Sequence, residues 1–226
     1  MARYRQYCPI ARATEVLGAR WTFLVVRNLM MGADTFTDIS RGVPMMSRSM
    51  LIKRLDELAR GGVLTISPKA SGHGSTYRLT DAGRDLAGVI DDLNDWGARW
   101  LDVTTEDADP AFALWVWCQV QLDRSALPVG RVVVGFTFPD ERPANRRYWL
   151  LVEHGDAELC YSDPGGTPDV EVVAGSLAFV DWHRGARTWT DVIGSGEVTL
   201  TGPKRLRTAL PTWNLRHPVL PVGEPG

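Results

Sequence analysis

The sequence predicts an α+β protein in two parts: a helical domain carrying one hairpin, then a sheet flanked by helices. Three observations carry this. Apolar residues recur at helical spacing as far as Leu101 and mostly alternate after Ala111. The run Thr104-Thr105-Glu106-Asp107-Ala108-Asp109-Pro110 between them is polar, acidic and ends in proline, as a linker does. The charge divides at much the same place. Residues 1–80 hold 12 Lys and Arg against 5 Asp and Glu, a net +7; the remainder is −9, which completes the −2 of the whole chain. The expected domains are therefore 1–104 and 111–216. A basic first part joined to an acidic remainder points to two tasks on one chain, the first directed at a polyanion such as DNA.

Composition narrows the classes further. With 226 residues, 44% hydrophobic and 23% charged, the chain matches globular proteins and excludes a disordered or fibrous one. No apolar run approaches the ~18 residues of a membrane span. Arg3, Arg5, Cys8 and Pro9 precede any apolar run, so no signal peptide is expected. Three scattered cysteines, Cys8, Cys118 and Cys160, do not make a disulfide framework. The expected setting is a reducing cytoplasm, most simply a bacterial one.

In the first part, Cys8-Pro9 opens a short helix to Leu17, stopped by Gly18. Trp21 to Met31 is strongly apolar and reads as a buried helix ended by Gly32. Thr35 caps a short helix over Phe36 to Arg41, and Gly42-Val43-Pro44 turns the chain. Ser47 caps a longer helix to about Arg60, stopped by Gly61-Gly62.

That fourth helix is the informative one. At 100° per residue Leu51, Leu55 and Leu58 share the inward face. Ser49, Lys53, Asp56 and Arg60 lie opposite, with Arg48 and Arg54 on the flanks. Short serines and a helix N-terminus suit phosphates, and Arg and Lys reach base edges. Val63–Ile66 and Thr76–Leu79 then read as two strands around a flexible tip with Lys69 and His73 and no acid. A hairpin directly after a recognition-type helix is a wing, so the first part reads as a winged helix-turn-helix domain. From Thr80 a last helix runs to about Leu101. Leu86, Val89, Leu93, Trp96 and Trp100 form a heptad seam on it, which packs either on its own domain or, as expected here, on the same helix of a second subunit.

These segments resemble the HxlR-type winged-helix regulators, a MarR-like group. The resemblance rests on Cys8-Pro9-Ile10, Leu17 through Leu29, Phe36-Thr37-Asp38-Ile39, the run Ser47 through Leu58, Gly62-Val63-Leu64 and Tyr77 through Gly83. It covers residues 5–100 in order and spacing. It implies a homodimeric bacterial transcription factor acting on double-stranded operator DNA, in the cytoplasm and on the nucleoid. The DNA-facing set is then Thr37, Ser47, Arg48, Ser49, Lys53, Arg54, Lys69 and His73. Some members sense oxidants through a cysteine at the position of Cys8. A thiolate there would be favoured by the helix start and by Arg3, Arg5 or Arg12. The alternative is a small packed residue.

In the second part Leu114, Val116, Cys118, Val120 and Leu122 alternate with Trp115, Trp117, Gln119 and Gln121, which reads as a strand. Further strands are expected at Arg131–Phe138, Tyr148–Glu153, Ala157–Tyr161, Asp169–Val173 and Glu197–Thr201, forming an antiparallel sheet. Helices are expected at Leu177–Arg184 and Thr188–Ile193, and from Pro203 to Trp213. Asp181, His183 and Arg184 read as a solvated face. The tail from Pro218 reads as irregular. Six of the 9 Trp lie here. Trp115, Trp117, Phe136, Trp149, Phe179, Trp182, Trp189 and Trp213 either line an apolar cavity or simply pack together. The segment from Thr188 to Gly202 resembles the C-terminal part of sterol carrier protein type 2-like domains, which implies a tunnel for a hydrophobic effector.

Catalysis finds little support. Gly194-Ser195-Gly196 lacks the rest of a phosphate-binding fingerprint. His154, Cys160 and Asp163 show no base and orienter arrangement, and His73 has no second ligand at metal spacing. No cofactor, metal or enzymatic activity is expected. The reading is a regulator whose DNA affinity answers to a hydrophobic molecule. Its rivals are a redox switch at Cys8 and a lipid carrier with a vestigial winged domain.

Overall fold

The computed structural model describes residues 4–69 and 73–215. The chain divides into two compact units between Leu101 and Asp102.

The first unit runs α1 (Pro9–Leu17), α2 (Thr22–Met30), α3 (Phe36–Arg41), α4 (Arg48–Arg60), β1 (Leu64–Pro68), β2 (Ser75–Leu79), α5 (Asp81–Arg84) and α6 (Ala87–Trp100). The caps follow the sequence. The Thr35 hydroxyl accepts the Asp38 N–H at 3.2 Å, and that of Ser47 accepts the Met50 N–H at 3.4 Å. Val25, Val26, Ile39, Leu51, Leu55 and Leu58 make the core on which α4 rests. The hairpin pairs Leu64 with Leu79 through Pro68 with Ser75. Thr35 bridges Thr76, and the Tyr77 N–H donates to the Asp34 carbonyl at 2.8 Å, so the wing is laced to the start of α3.

One expectation here is corrected. The helix from Thr80 to Leu101 is two helices, because the chain bends between Arg84 and Ala87. Thr80 caps α5, and its hydroxyl also donates to the Gly62 carbonyl at 2.6 Å, so this turn is tied to the hairpin. A side chain at Gly83 would run into the Val63 carbonyl oxygen, so glycine is required for that close approach.

The second unit holds α7 (Pro110–Gln119), β3 (Val132–Thr137), β4 (Arg147–Glu153), β5 (Asp156–Cys160), β6 (Val170–Ala174), α8 (Ser176–His183), α9 (Trp189–Gly194), β7 (Val198–Thr201) and α10 (Lys204–Ala209), closed by a 3-10 turn at Leu210–Trp213. Its sheet has the order β5-β4-β3-β6-β7. β3 pairs antiparallel with β4 but parallel with β6. The expected antiparallel sheet is therefore mixed.

The expected strand over Leu114–Leu122 is instead, as far as Gln119, the helix α7. Asp109 caps it by accepting the Phe112 N–H at 3.0 Å, and Pro110 occupies its first turn. Ala113 to Cys118 are all buried. In a segment buried on every side, alternation between two sets of largely apolar residues does not mark a strand. The acidic run before it is structured as well: Thr104 and Asp107 close a capping box around a 3-10 turn. His183 is also corrected, from a solvated face to the interior, where it is 8% exposed.

Candidate nucleic-acid interface

In α4 the leucine face is buried, and Ser47, Arg48, Ser49 and Lys53 stand exposed along its N-terminal half. This end of a 13-residue helix carries unpaired N–H groups and a positive partial charge, both suited to a phosphate. Ser47 and Ser49 hydroxyls lie 3.3 Å apart. The Arg48 guanidinium sits 4.7 Å over the ring of Phe36, which ties the first residue of α4 to α3. Thr37 is exposed on that same α3. At the wing, Lys69 is half-buried, its N–H donating to the Gly74 carbonyl at 3.1 Å, and His73 is exposed. Ala70, Ser71 and Gly72 of the tip lie outside the described residues.

Arg54 departs from the expected set. It is 9% exposed and paired with the Glu57 carboxylate at 2.5 Å. Position 54 turns toward the leucine face, so its guanidinium serves the fold rather than the groove of a duplex. Exposed apolar residues that the charge-based reading passed over lie beside this set. Met45 is 84% exposed just ahead of α4, with Met50 and Ile52 also exposed on it. Their signal was available, since 100° per residue puts positions 50 and 52 off the leucine face.

On α6 only Ile90 is buried. Val89, Leu93, Trp96 and Trp100 are 45%, 46%, 56% and 68% exposed, and Leu86 is half-buried. The seam thus lies along one uncovered face. Cys8 is half-buried at the N-cap of α1, with no side-chain capping bond. Arg12 is engaged with Glu15 at 2.7 Å, and Arg3 lies outside the described residues.

In the second unit the aromatic set divides. Trp115, Trp117, Phe136, Trp149, Phe179, Trp182 and Trp213 are all buried. Trp117 meets Trp182 edge-on at 5.4 Å, Phe136 meets Phe179 at 5.7 Å, and the Trp117 indole donates to the Trp213 carbonyl at 2.9 Å. Edge-to-face contacts of this kind are those of packed aromatic core. Trp189 borders open space, a groove formed with Ile193, Val198 and Leu200. Cys118 is buried on α7, and burial pushes its thiol pKa up, away from a reactive thiolate. Burial lowers His183 from 6.5 to about 4, and its Nδ1 lies 3.0 Å from the Asn214 amide nitrogen. Among the described residues no group of three or more His, Cys, Asp or Glu is placed to hold a metal ion, and no helix is long and apolar enough to cross a membrane.

A family model described as an HxlR-like helix-turn-helix matches residues 16–105, ending close to the division between the units. The HTH-type transcriptional regulator YvaP of Bacillus subtilis (strain 168) is 32% identical over 100 residues, which span 43% of this chain and 92% of YvaP. The HTH-type transcriptional regulator YodB of the same strain is 31% identical over 98 residues, 42% of this chain and 87% of YodB. A solved structure of the redox regulator HypR in its oxidized form aligns with a TM-score of 0.40 at 26% identity, over 42% of this chain and 100% of that one.

Proposed function

The chain belongs to the HxlR-like helix-turn-helix family, and from that premise we propose that it is a DNA-binding transcriptional regulator that works as a homodimer. The observation that carries the reading is the N-terminal half of α4. It presents Ser47, Arg48, Ser49 and Lys53 outward from a leucine platform, beside a wing laced to α3. Such a helix enters a major groove while the wing rests on the backbone. The uncovered α6 seam supports pairing, and a two-fold dimer reads half-sites about 34–36 Å apart. A DNA-binding regulator works in the cytoplasm, on the nucleoid.

The second unit is the sensor in this reading, a sterol-carrier-like domain that takes a hydrophobic molecule. Its support is the succession of α9, β7 and α10, where a helix with an apolar face precedes an edge strand and a closing helix. A ligand changes DNA affinity only if it binds the two DNA-affinity states unequally. No catalytic or cofactor role is assigned.

The test is titration of the purified protein with DNA from upstream of its own gene and with random DNA, over a range of salt. Nanomolar binding, about a thousandfold or more above random DNA and falling steeply with salt, supports the reading. Equal weak binding to any sequence overturns it and favours a carrier with a vestigial winged domain. A second reading, a redox switch, is favoured by one observation: Cys8 is a half-buried free thiol at the start of α1. Cys8→Ser abolishes an oxidant response in that case and leaves ligand binding intact.

A further inference from the structure

The groove beside Trp189 has a chemical character of its own. Its volume is about 690 Å³, within the roughly 300–1,000 Å³ of small-molecule sites. Its apolar lining is Trp189, Ile193, Val198 and Leu200. Trp189 is held in place by Trp182, with ring centroids 4.6 Å apart. Lys204 and Arg207, three apart on α10, border the same space, and none of the described residues lining it is acidic. The carboxylates nearest in sequence are occupied. Glu197 pairs with Arg187 at 2.6 Å, and Asp191 closes the capping box with Thr188. An apolar floor beside two cations with no facing carboxylate complements a molecule that is apolar along its body and anionic at one end.

We propose that this groove binds a small amphipathic anion, its apolar body on Trp189 and Ile193 and its acidic group between Lys204 and Arg207. The proposal rests on the reading of the second unit as a sensor and deepens it in two ways. It moves the ligand from the aromatic core, whose rings pack on one another, to the edge formed by α9, β7 and α10, and it assigns the ligand a negative charge. A side chain can be added at Gly194 without collision, since a Cβ there meets no atom within 4 Å, and Gly194 lines the groove. That provides a way to fill the site while leaving the core alone.

The experiment uses the full chain and two fluorescent probes with the same aromatic body. One is 8-anilinonaphthalene-1-sulfonate; the other is N-phenyl-1-naphthylamine, which lacks the sulfonate. The expected result is tighter binding of the anion by about tenfold, the scale of one charged hydrogen bond. The double variant Lys204→Ala, Arg207→Ala removes that advantage and leaves the neutral probe unchanged. Gly194→Phe weakens both probes at an unchanged urea midpoint. Equal affinity of the two probes for the wild type, no binding of either, or an unchanged anion affinity in the double variant overturns the proposal. The double variant lies on surface side chains, so its result stands even if Gly194→Phe perturbs folding. DNA titrations of the same proteins keep the two readings apart. Absence of sequence-specific DNA binding by the wild type refutes the regulator and leaves the groove to the dyes. Specific DNA binding with no anion preference refutes the groove alone.

Discussion

Protonating His183 should loosen the second unit, and the size of the effect follows from its surroundings. The imidazole is 8% exposed, and the Asn214 amide nitrogen, a donor, lies 3.0 Å from Nδ1. Nδ1 therefore accepts, and the ring is neutral with its proton on Nε2. A second proton would be buried and would face a donor. Burial lowers the pKa from 6.5 to about 4. At about 1.4 kcal/mol per pH unit, that difference is worth up to about 3 kcal/mol. The sign is fixed by which state binds the proton. Above pH 6.5 neither does, and the fold bears no cost. As pH falls from 6.5 toward 4 the unfolded chain takes up a proton that the folded chain refuses, and stability drops. Below about 4 both are protonated and the loss is complete. The variant His183→Gln keeps a partner for Asn214 and cannot titrate. Urea unfolding followed by tryptophan fluorescence, at steps between pH 7.5 and 4, should give a wild-type midpoint that falls relative to the variant across this window. Carboxylates titrate in both proteins and cancel in the difference. Parallel pH profiles for the two would refute the assignment of His183 as a buried neutral base.

Other expectations follow from the first unit. Removing Arg48 and Lys53 together should weaken binding to all DNA. The slope of log affinity against log salt should flatten by about 0.9 for each phosphate no longer neutralised, measured by fluorescence anisotropy. Arg54→Ala should act differently, lowering the thermal midpoint by leaving Glu57 half-buried and unpaired, with the salt slope unchanged. Leu93→Asp with Trp96→Asp should abolish the proposed dimer in sedimentation and lower operator affinity, at an unchanged far-ultraviolet spectrum, because both side chains are about half exposed in the single chain. Gly83→Ala should destabilise the first unit by more than the few tenths of a kcal/mol of an ordinary surface change, since the Val63 carbonyl occupies the space of the new methyl group.

Much of the first unit is legible in the sequence because its signals are local. Ser47 and Thr35 cap helices by bonds within three residues, and the Leu51, Leu55 and Leu58 spacing identifies the inward face of α4 from the helical period alone. The outward serines and basic residues follow by elimination. Arg54 does not. Its angle placed it on a flank, and the packing around it buries the guanidinium against Glu57.

In the second unit the strands from Val132 to Ala174 and the helices after them lie close to where turn residues and alternation put them. The helix α7 does not, because a segment buried on all sides presents no polar face from which a period can be read. The parallel pairing of β3 with β6 joins residues more than thirty apart, and a connection of that length can return the strand in either direction. The aromatic residues carried the same ambiguity. Composition determined that there was more ring surface than a small domain commonly holds. Whether rings enclose space or pack on one another depends on distances between elements, and here Trp117, Trp182, Phe136 and Phe179 meet in edge-on and tilted pairs near 5.5 Å. Chain-local chemistry, namely caps, periods and the charge of each half, was determined by the sequence alone. Burial, partner choice and the location of empty space were decided by tertiary structure, because each is a property of residues far apart in the chain meeting in one place.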